Sequence, residues 1–135
     1  FGPLTLLHGD PHIGNRFLDR DRVGFLDWGM TTIGPALKDA SYFLTMGVDL
    51  QDRRAMQREL LKHYLDAREQ QGAVPISFED AWDAHRRFAG YNVLASFLGL
   101  TPPYMQPRGG SNSRQRAIRS LDDLETLGAL RAAIR

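Results

Sequence analysis

From His8 to Asn15 the chain reads His-Gly-Asp-Pro-His-Ile-Gly-Asn, and this short stretch limits the fold more than any other. Gly9, Pro11 and Gly14 punctuate it, so it forms a loop and not a helix or strand. Before it, Leu4-Thr5-Leu6-Leu7 is an apolar run with a β-branched member, bounded by Gly2-Pro3 and Gly9, which predicts a buried strand. After it come two apolar runs, Phe17-Leu18 and Val23-Gly24-Phe25-Leu26. The polar tetrad Asp19-Arg20-Asp21-Arg22 separates them, which predicts a hairpin. A hairpin folds back, so it can bring Asp27 beside Asn15 although 12 positions separate them.

The remainder predicts helices. Pro35 suits the first turn of a helix reaching about Met46, with Gly47 as its end. Asp49 or Asp52 can cap a second helix that runs to Gln71 and stops at Gly72. Its apolar stripe is Met56, Leu60, Tyr64 and Ala67, widened by Leu61 and Leu65. Ser77 followed by Asp80 resembles a capping box for a third helix over 78–98. That helix is apolar on a wide arc including Ala81, Trp82, Phe88, Tyr91 and Phe97, so it is expected at the centre of the core. Thr101-Pro102-Pro103 stops it, residues 106–113 predict a loop, and a last helix is expected over 114–134. At 135 residues the chain suits a single domain with a core of its own.

The chemistry resides in the loop and the hairpin end. Asp10 is followed after four residues by Asn15, and Asp27 stands just before Trp28-Gly29. Phosphoryl transfer needs an acidic group to orient the attacking hydroxyl, and oxygen ligands to hold Mg²⁺ against the phosphates. Mg²⁺ keeps several waters, so one carboxylate and one amide suffice from the protein. The stretch resembles the catalytic and metal-binding loops of the aminoglycoside phosphotransferase family, a branch of the kinase-like superfamily, and more remotely those of protein kinases. The family's His-x-Asp-x-x-x-x-Asn pattern is matched by His8, Asp10 and Asn15, and its metal-binding Asp before an aromatic residue by Asp27-Trp28. The resemblance implies that Asp10 is the catalytic base and that Asn15 and Asp27 are Mg²⁺ ligands. It further implies that His8, His12 and Asp39 support the loop, with ATP as phosphoryl donor and a small-molecule hydroxyl as acceptor.

The resemblance covers residues 4 to about 44, and the chain departs from the pattern in three ways. Pro11 replaces an apolar residue, and Arg16 replaces an aliphatic one, which predicts a charge near the metal site. No Gly-rich phosphate-covering loop and no strand Lys with a partner Glu precede the motif. The expected fold is therefore α+β, mostly α: a protein-kinase-like C-terminal lobe, with a strand and hairpin platform against a helical bundle. Residues 1–135 are expected to form that lobe alone, without the N-terminal nucleotide lobe, and this fragment by itself is expected to be inactive. An apolar patch is expected where the missing lobe docks, and a homodimer can form there.

Other readings of the same residues stand beside this one. A non-catalytic kinase-like remnant or interaction domain would keep the lobe without transferring phosphate. Asp10 and Asn15 also suit turns that satisfy backbone groups, and Trp28 suits a core. His8-x-Asp10-x-His12 suits a metal hydrolase, in which alternating positions share an ion. Glu79, Asp80 and Asp83 could bind a cationic substrate, but acids are equally favoured at a helix N-terminus. Arg108, Arg114 and Arg116 could grip an anion or simply lie on a solvated surface. The formal net charge of +1 gives no field to recruit nucleic acid. No apolar run approaches the roughly 20 residues of a membrane helix. With no cysteine, disulfides and thiolate metal sites are excluded, and a cytoplasmic location is expected.

Overall fold

A computed structural model describes residues 2–98 and 110–134. Strand β1 (Leu4–Leu7) leads into the loop, which closes with a 3₁₀ turn at Ile13–Asn15. Strands β2 (Arg16–Asp19) and β3 (Arg22–Phe25) form the hairpin, in register from Arg16↔Phe25 to Asp19↔Arg22. The outer members of the polar tetrad thus belong to the ladder, and Arg20-Asp21 alone make the turn, with Arg20 left-handed at φ 57°. A second 3₁₀ turn, Trp28–Met30, precedes β4 (Thr32–Pro35), which the sequence pattern did not predict. Strand β4 pairs antiparallel with β1, from Leu4↔Pro35 to Leu7↔Thr32. Pro35 therefore ends a strand, and helix α1 begins at Leu37 (Leu37–Tyr42), continuing as a π-helical turn over Phe43–Gly47.

Helix α2 (Leu50–Gln70) has the expected ends. Asp49 caps it by accepting from the Gln51 N–H at 3.1 Å. At the far end Gly72 is left-handed (φ 80°), the Gly72 N–H reaches Glu69 O at 2.9 Å, and the Ala73 N–H reaches Arg68 O at 3.0 Å. Helix α3 (Phe78–Leu98) starts from the Ser77–Asp80 box and packs against α1, α2, α4 and α5, so it is central as expected. The predicted last helix is two. Helix α4 (Gly110–Asp123) begins four residues earlier than expected, and the chain breaks before α5 (Thr126–Ala132), with Glu125 left-handed at φ 47°. The expected stop at Thr101-Pro102-Pro103, and residues 106–109 of the expected loop, lie outside the described residues.

Burial departs from the amphipathic patterns in an instructive way. Leu4 and Leu6 of β1 are exposed, as is Ile33 opposite Leu6; only Leu7 of the strand is buried. A two-stranded ladder among the described residues has no second layer to cover that face. On α2 the buried row starts Arg53, Gln57, Leu61, so the face is rotated from the Met56 stripe, and Met56 is exposed. On α3 the fully buried positions are Ala81, Ala84, His85, Ala89 and Asn92, while Tyr91 and Phe97 reach solvent. Small residues bring α3 close to Ala36, Leu37 and Leu61, and the space they leave is occupied by polar side chains that bond one another.

That polar interior is continuous. The Ser41 hydroxyl lies 3.0 Å from His85 Nδ1 and accepts from Asn92 Nδ2 at 3.2 Å, and Asn92 also donates to Thr45 Oγ1 at 2.8 Å. His85 Nε2 faces Gln57 Oε1 at 3.5 Å, and the same oxygen accepts from Arg53 at 3.1 Å. Arg53, wholly buried, also pairs with Asp123, which takes a two-pronged contact from Arg54 at 2.9 Å on the outer side. Burial first, and the Arg53 charge second, lower the His85 pKa from 6.5 to about 3.

Two outcomes follow from this interior. The unfolded chain takes up a proton on His85 below pH 6.5 that the folded chain refuses until about pH 3. The stability due to neutral burial is thus complete above pH 6.5 and declines as pH falls towards 3. The decline is at most about 1.4 kcal/mol per pH unit. Urea unfolding at pH 7, 6 and 5 should show it, and His85→Phe should flatten it; equal wild-type stability at pH 7 and 5 would contradict the assignment. Asp123→Ala leaves Arg53 buried without its carboxylate and should cost about 3 kcal/mol. Arg54→Ala, on the solvent side, should cost much less, and denaturant midpoints will rank the two.

Candidate active site

The loop after β1 is held from behind by α1. Asp39 Oδ2 accepts from the His8 N–H at 2.7 Å and the Gly9 N–H at 3.3 Å. Two backbone donors on one carboxylate make a charge-assisted anchor. Gly9 is left-handed (φ 86°), and a Cβ there would meet Met30 O at 2.1 Å, so only glycine lets the loop cross the Trp28–Met30 turn.

His8 is buried and knits the loop to the hairpin. Its ring Nε2 donates to Leu26 O at 2.8 Å, which leaves Nδ1 to accept from the Asp10 N–H at 3.3 Å. Its ring packs on Trp28 (centroids 4.7 Å apart) and Phe25 (5.4 Å). Trp28 itself is exposed, so it is a cover on His8 and not a core residue. With both ring nitrogens engaged, His8 is not available to share an ion with Asp10 and His12. Among the described residues no three His, Cys, Asp or Glu side chains gather as a metal site.

Asp10 and Asn15 come together as the spacing implies. Asn15, buried in the 3₁₀ turn, donates through Nδ2 to Asp10 O at 3.0 Å and faces Asp10 Oδ2 at 3.4 Å. The Oδ1 of Asn15 has no hydrogen-bond partner among the described residues. The Leu26 N–H donates to Asn15 O at 2.9 Å and Phe25 pairs with Arg16, so Asp27 follows directly on the residue bonded to Asn15. Asp27 is exposed and left-handed (φ 56°, ψ 66°), and its carboxylate has no hydrogen-bond partner among the described residues. Aspartate is among the residues that adopt the left-handed region most readily, so the hairpin can end here without a glycine. His12 stands on the other side, with Nε2 3.4 Å from Asp10 Oδ2.

Arg16 is engaged by protein groups. Its guanidinium stacks on Phe43 (3.7 Å to the ring centroid) and donates to Pro11 O at 2.9 Å. The stiffening by Pro11 and the anchoring by Arg16 therefore act on the same peptide. One residue that the sequence reading did not single out also reaches the loop: Tyr42 Oη donates to Asp10 Oδ1 at 2.9 Å. The signal was present in the spacing, because Tyr42 lies three residues after Asp39 and so on the same face of α1.

The acidic cluster of α3 is engaged otherwise. The Asp80 carboxylate accepts from the Ser77 hydroxyl at 2.7 Å, Asp83 pairs with Arg87 one turn on, and Glu79 is exposed. Asp80 and Asp83 line a separate hollow of about 290 Å³ with Gly2, Pro3 and Ile76. Arg116 donates to Met46 O at 3.1 Å, closing the end of the π-helical turn, and Arg114 lies over Phe97; Arg108 is outside the described residues.

Comparison with curated proteins and with solved structures gave no match. A family model described as the phosphotransferase enzyme family matches residues 2–97, which include the loop, the hairpin and the helices behind them. The match agrees with the motif of His8, Asp10, Asn15 and Asp27: the chain belongs to the phosphotransferase enzyme family.

Proposed function

We propose that this chain is the catalytic lobe of an enzyme that transfers the γ-phosphoryl group of ATP to a hydroxyl of a small molecule. The observation that carries this reading is the joining of Asn15 to both Asp10 and the hairpin end. One short network thus groups a partly exposed carboxylate with an amide oxygen and a second carboxylate that have no hydrogen-bond partner among the described residues. Asn15 Oδ1 and the Asp27 carboxylate are hard oxygen donors, and that donor set fits Mg²⁺. When bound, ATP would supply the phosphoryl group and Mg²⁺ would neutralise charge on its phosphates.

The chain's own residues do the rest. Asp10 receives or orients the hydroxyl proton, with its backbone fixed by His8 and Asn15. Asp39 fixes the loop against α1, and His12 borders the carboxylate on the open side. No helix among the described residues is long and apolar enough to cross a membrane. The uncovered apolar side chains of β1 and β4 support a second, nucleotide-holding lobe packing on that side. Substrate specificity would reside in the helical part, where Glu79 keeps an exposed carboxylate.

The test uses the full-length protein that contains this chain. Mg²⁺-dependent ATP consumption, assayed over a panel of hydroxyl compounds, should be stimulated by at least one of them. Asp10→Ala should lower it by about 10²–10⁴-fold. Asn15→Ala and Asp27→Ala should raise the Mg²⁺ concentration needed for half-maximal rate. Absence of both turnover and Mg·ATP binding would transfer the chain to the non-catalytic reading.

A further inference from the structure

We propose that Tyr42 is the positioning residue that aims the Asp10 carboxylate, holding one oxygen so that the other is presented to the acceptor hydroxyl. The inference deepens the phosphoryl-transfer reading and rests on it. Oδ1 of Asp10 accepts from Tyr42 at 2.9 Å. The contacts to Oδ2, from Asn15 Nδ2 and His12 Nε2, are both 3.4 Å, beyond the range of a good hydrogen bond. Among the described residues, Tyr42 therefore makes the single short hydrogen bond to this carboxylate. Without it, rotation about the terminal bond of Asp10 would be restrained only weakly, since such torsions are broad.

Tyr42 is itself held firmly. It is the last residue of α1, between Ser41, which is wholly buried against His85 and Asn92, and Phe43, which carries the Arg16 guanidinium. The Thr45 hydroxyl donates to Ser41 O at 2.9 Å and so braces the turn that follows. Burial first, and then the Asp10 carboxylate, push the phenol pKa well above its usual value, so Tyr42 remains a donor and does not compete as the base. The same helix thus anchors the loop backbone through Asp39 and orients the reacting side chain through Tyr42. This is what a rigid support for a catalytic group requires.

The test compares wild type, Tyr42→Phe, Asp10→Asn and the double variant of the full-length protein in Mg²⁺-dependent transfer from ATP. Tyr42→Phe keeps the ring and removes the hydroxyl, and thermal unfolding verifies the fold. The expected result is a kcat lowered about 10- to 100-fold, with the KM for Mg·ATP unchanged within about twofold. In the Asp10→Asn background the same change should have no further effect on the residual rate. Tyr42→Phe with wild-type kcat, beside an inactive Asp10→Asn, overturns this inference and leaves the phosphoryl-transfer reading standing. Equal losses in both backgrounds would make Tyr42 a merely structural residue and overturn it too. A wild-type protein inactive on every acceptor overturns the reading and the inference together.

Discussion

The site depends on one carboxylate that is not itself placed to react. Asp39 takes the successive backbone N–H groups of His8 and Gly9 from across 31 and 30 positions of chain. Loops carry polar backbone groups that must find partners, and a loop of this kind would ordinarily leave them to water. Here a helix side chain supplies the acceptor, which converts a glycine- and proline-rich segment into a fixed frame. Everything in the frame follows: His8 can bridge to Leu26, Asn15 can bond Asp10 O, and the hairpin end arrives beside both.

The position of α1 therefore fixes the loop that carries the motif. Helix α1 is short, and a six-residue helix has little stability of its own. It is fixed by a polar seam instead of a wide apolar stripe, with Ser41 and Thr45 meeting His85 and Asn92 of α3. Hydrogen bonds are directional where apolar contact is not, so this seam sets the register of α1 on α3. Alanines at 81, 84 and 89 allow the close approach, and the fully buried Arg53 and the largely buried Gln57 extend the seam to α2. The helix that holds the motif loop is thus located by groups that tolerate little sliding.

Much of the local structure was legible because it rests on local signals. The strand, the loop, the hairpin, the Asp49 cap, the Gly72 stop and the Ser77–Asp80 box all lie within windows of a few residues. The misreadings share a different cause. Pro35 suits a helix start and a strand end equally, and only the pairing of β4 with β1 decides between them. Periodicity assigned Met56 to the core of α2, but Arg53 and Gln57 are buried because Asp123 and His85 receive them. The break at Glu125 carries no glycine or proline. It coincides with the contact of Arg86 to Leu124 O at 2.7 Å, made by a side chain of another helix.

By itself, the sequence determined the family and the residues that carry its motif. An aspartate, an asparagine and a second aspartate at set distances on a loop and a hairpin form a pattern carried by a contiguous stretch of chain. Residue identity there survives whatever the rest of the chain does. The tertiary structure alone decided how those groups are held. Which oxygen of Asp10 is engaged, which side Arg16 turns to, and which face of α2 is buried all depend on contacts between remote positions. Such contacts exist only once the helices have packed, because packing and not propensity sets the distance between side chains so far apart in the chain.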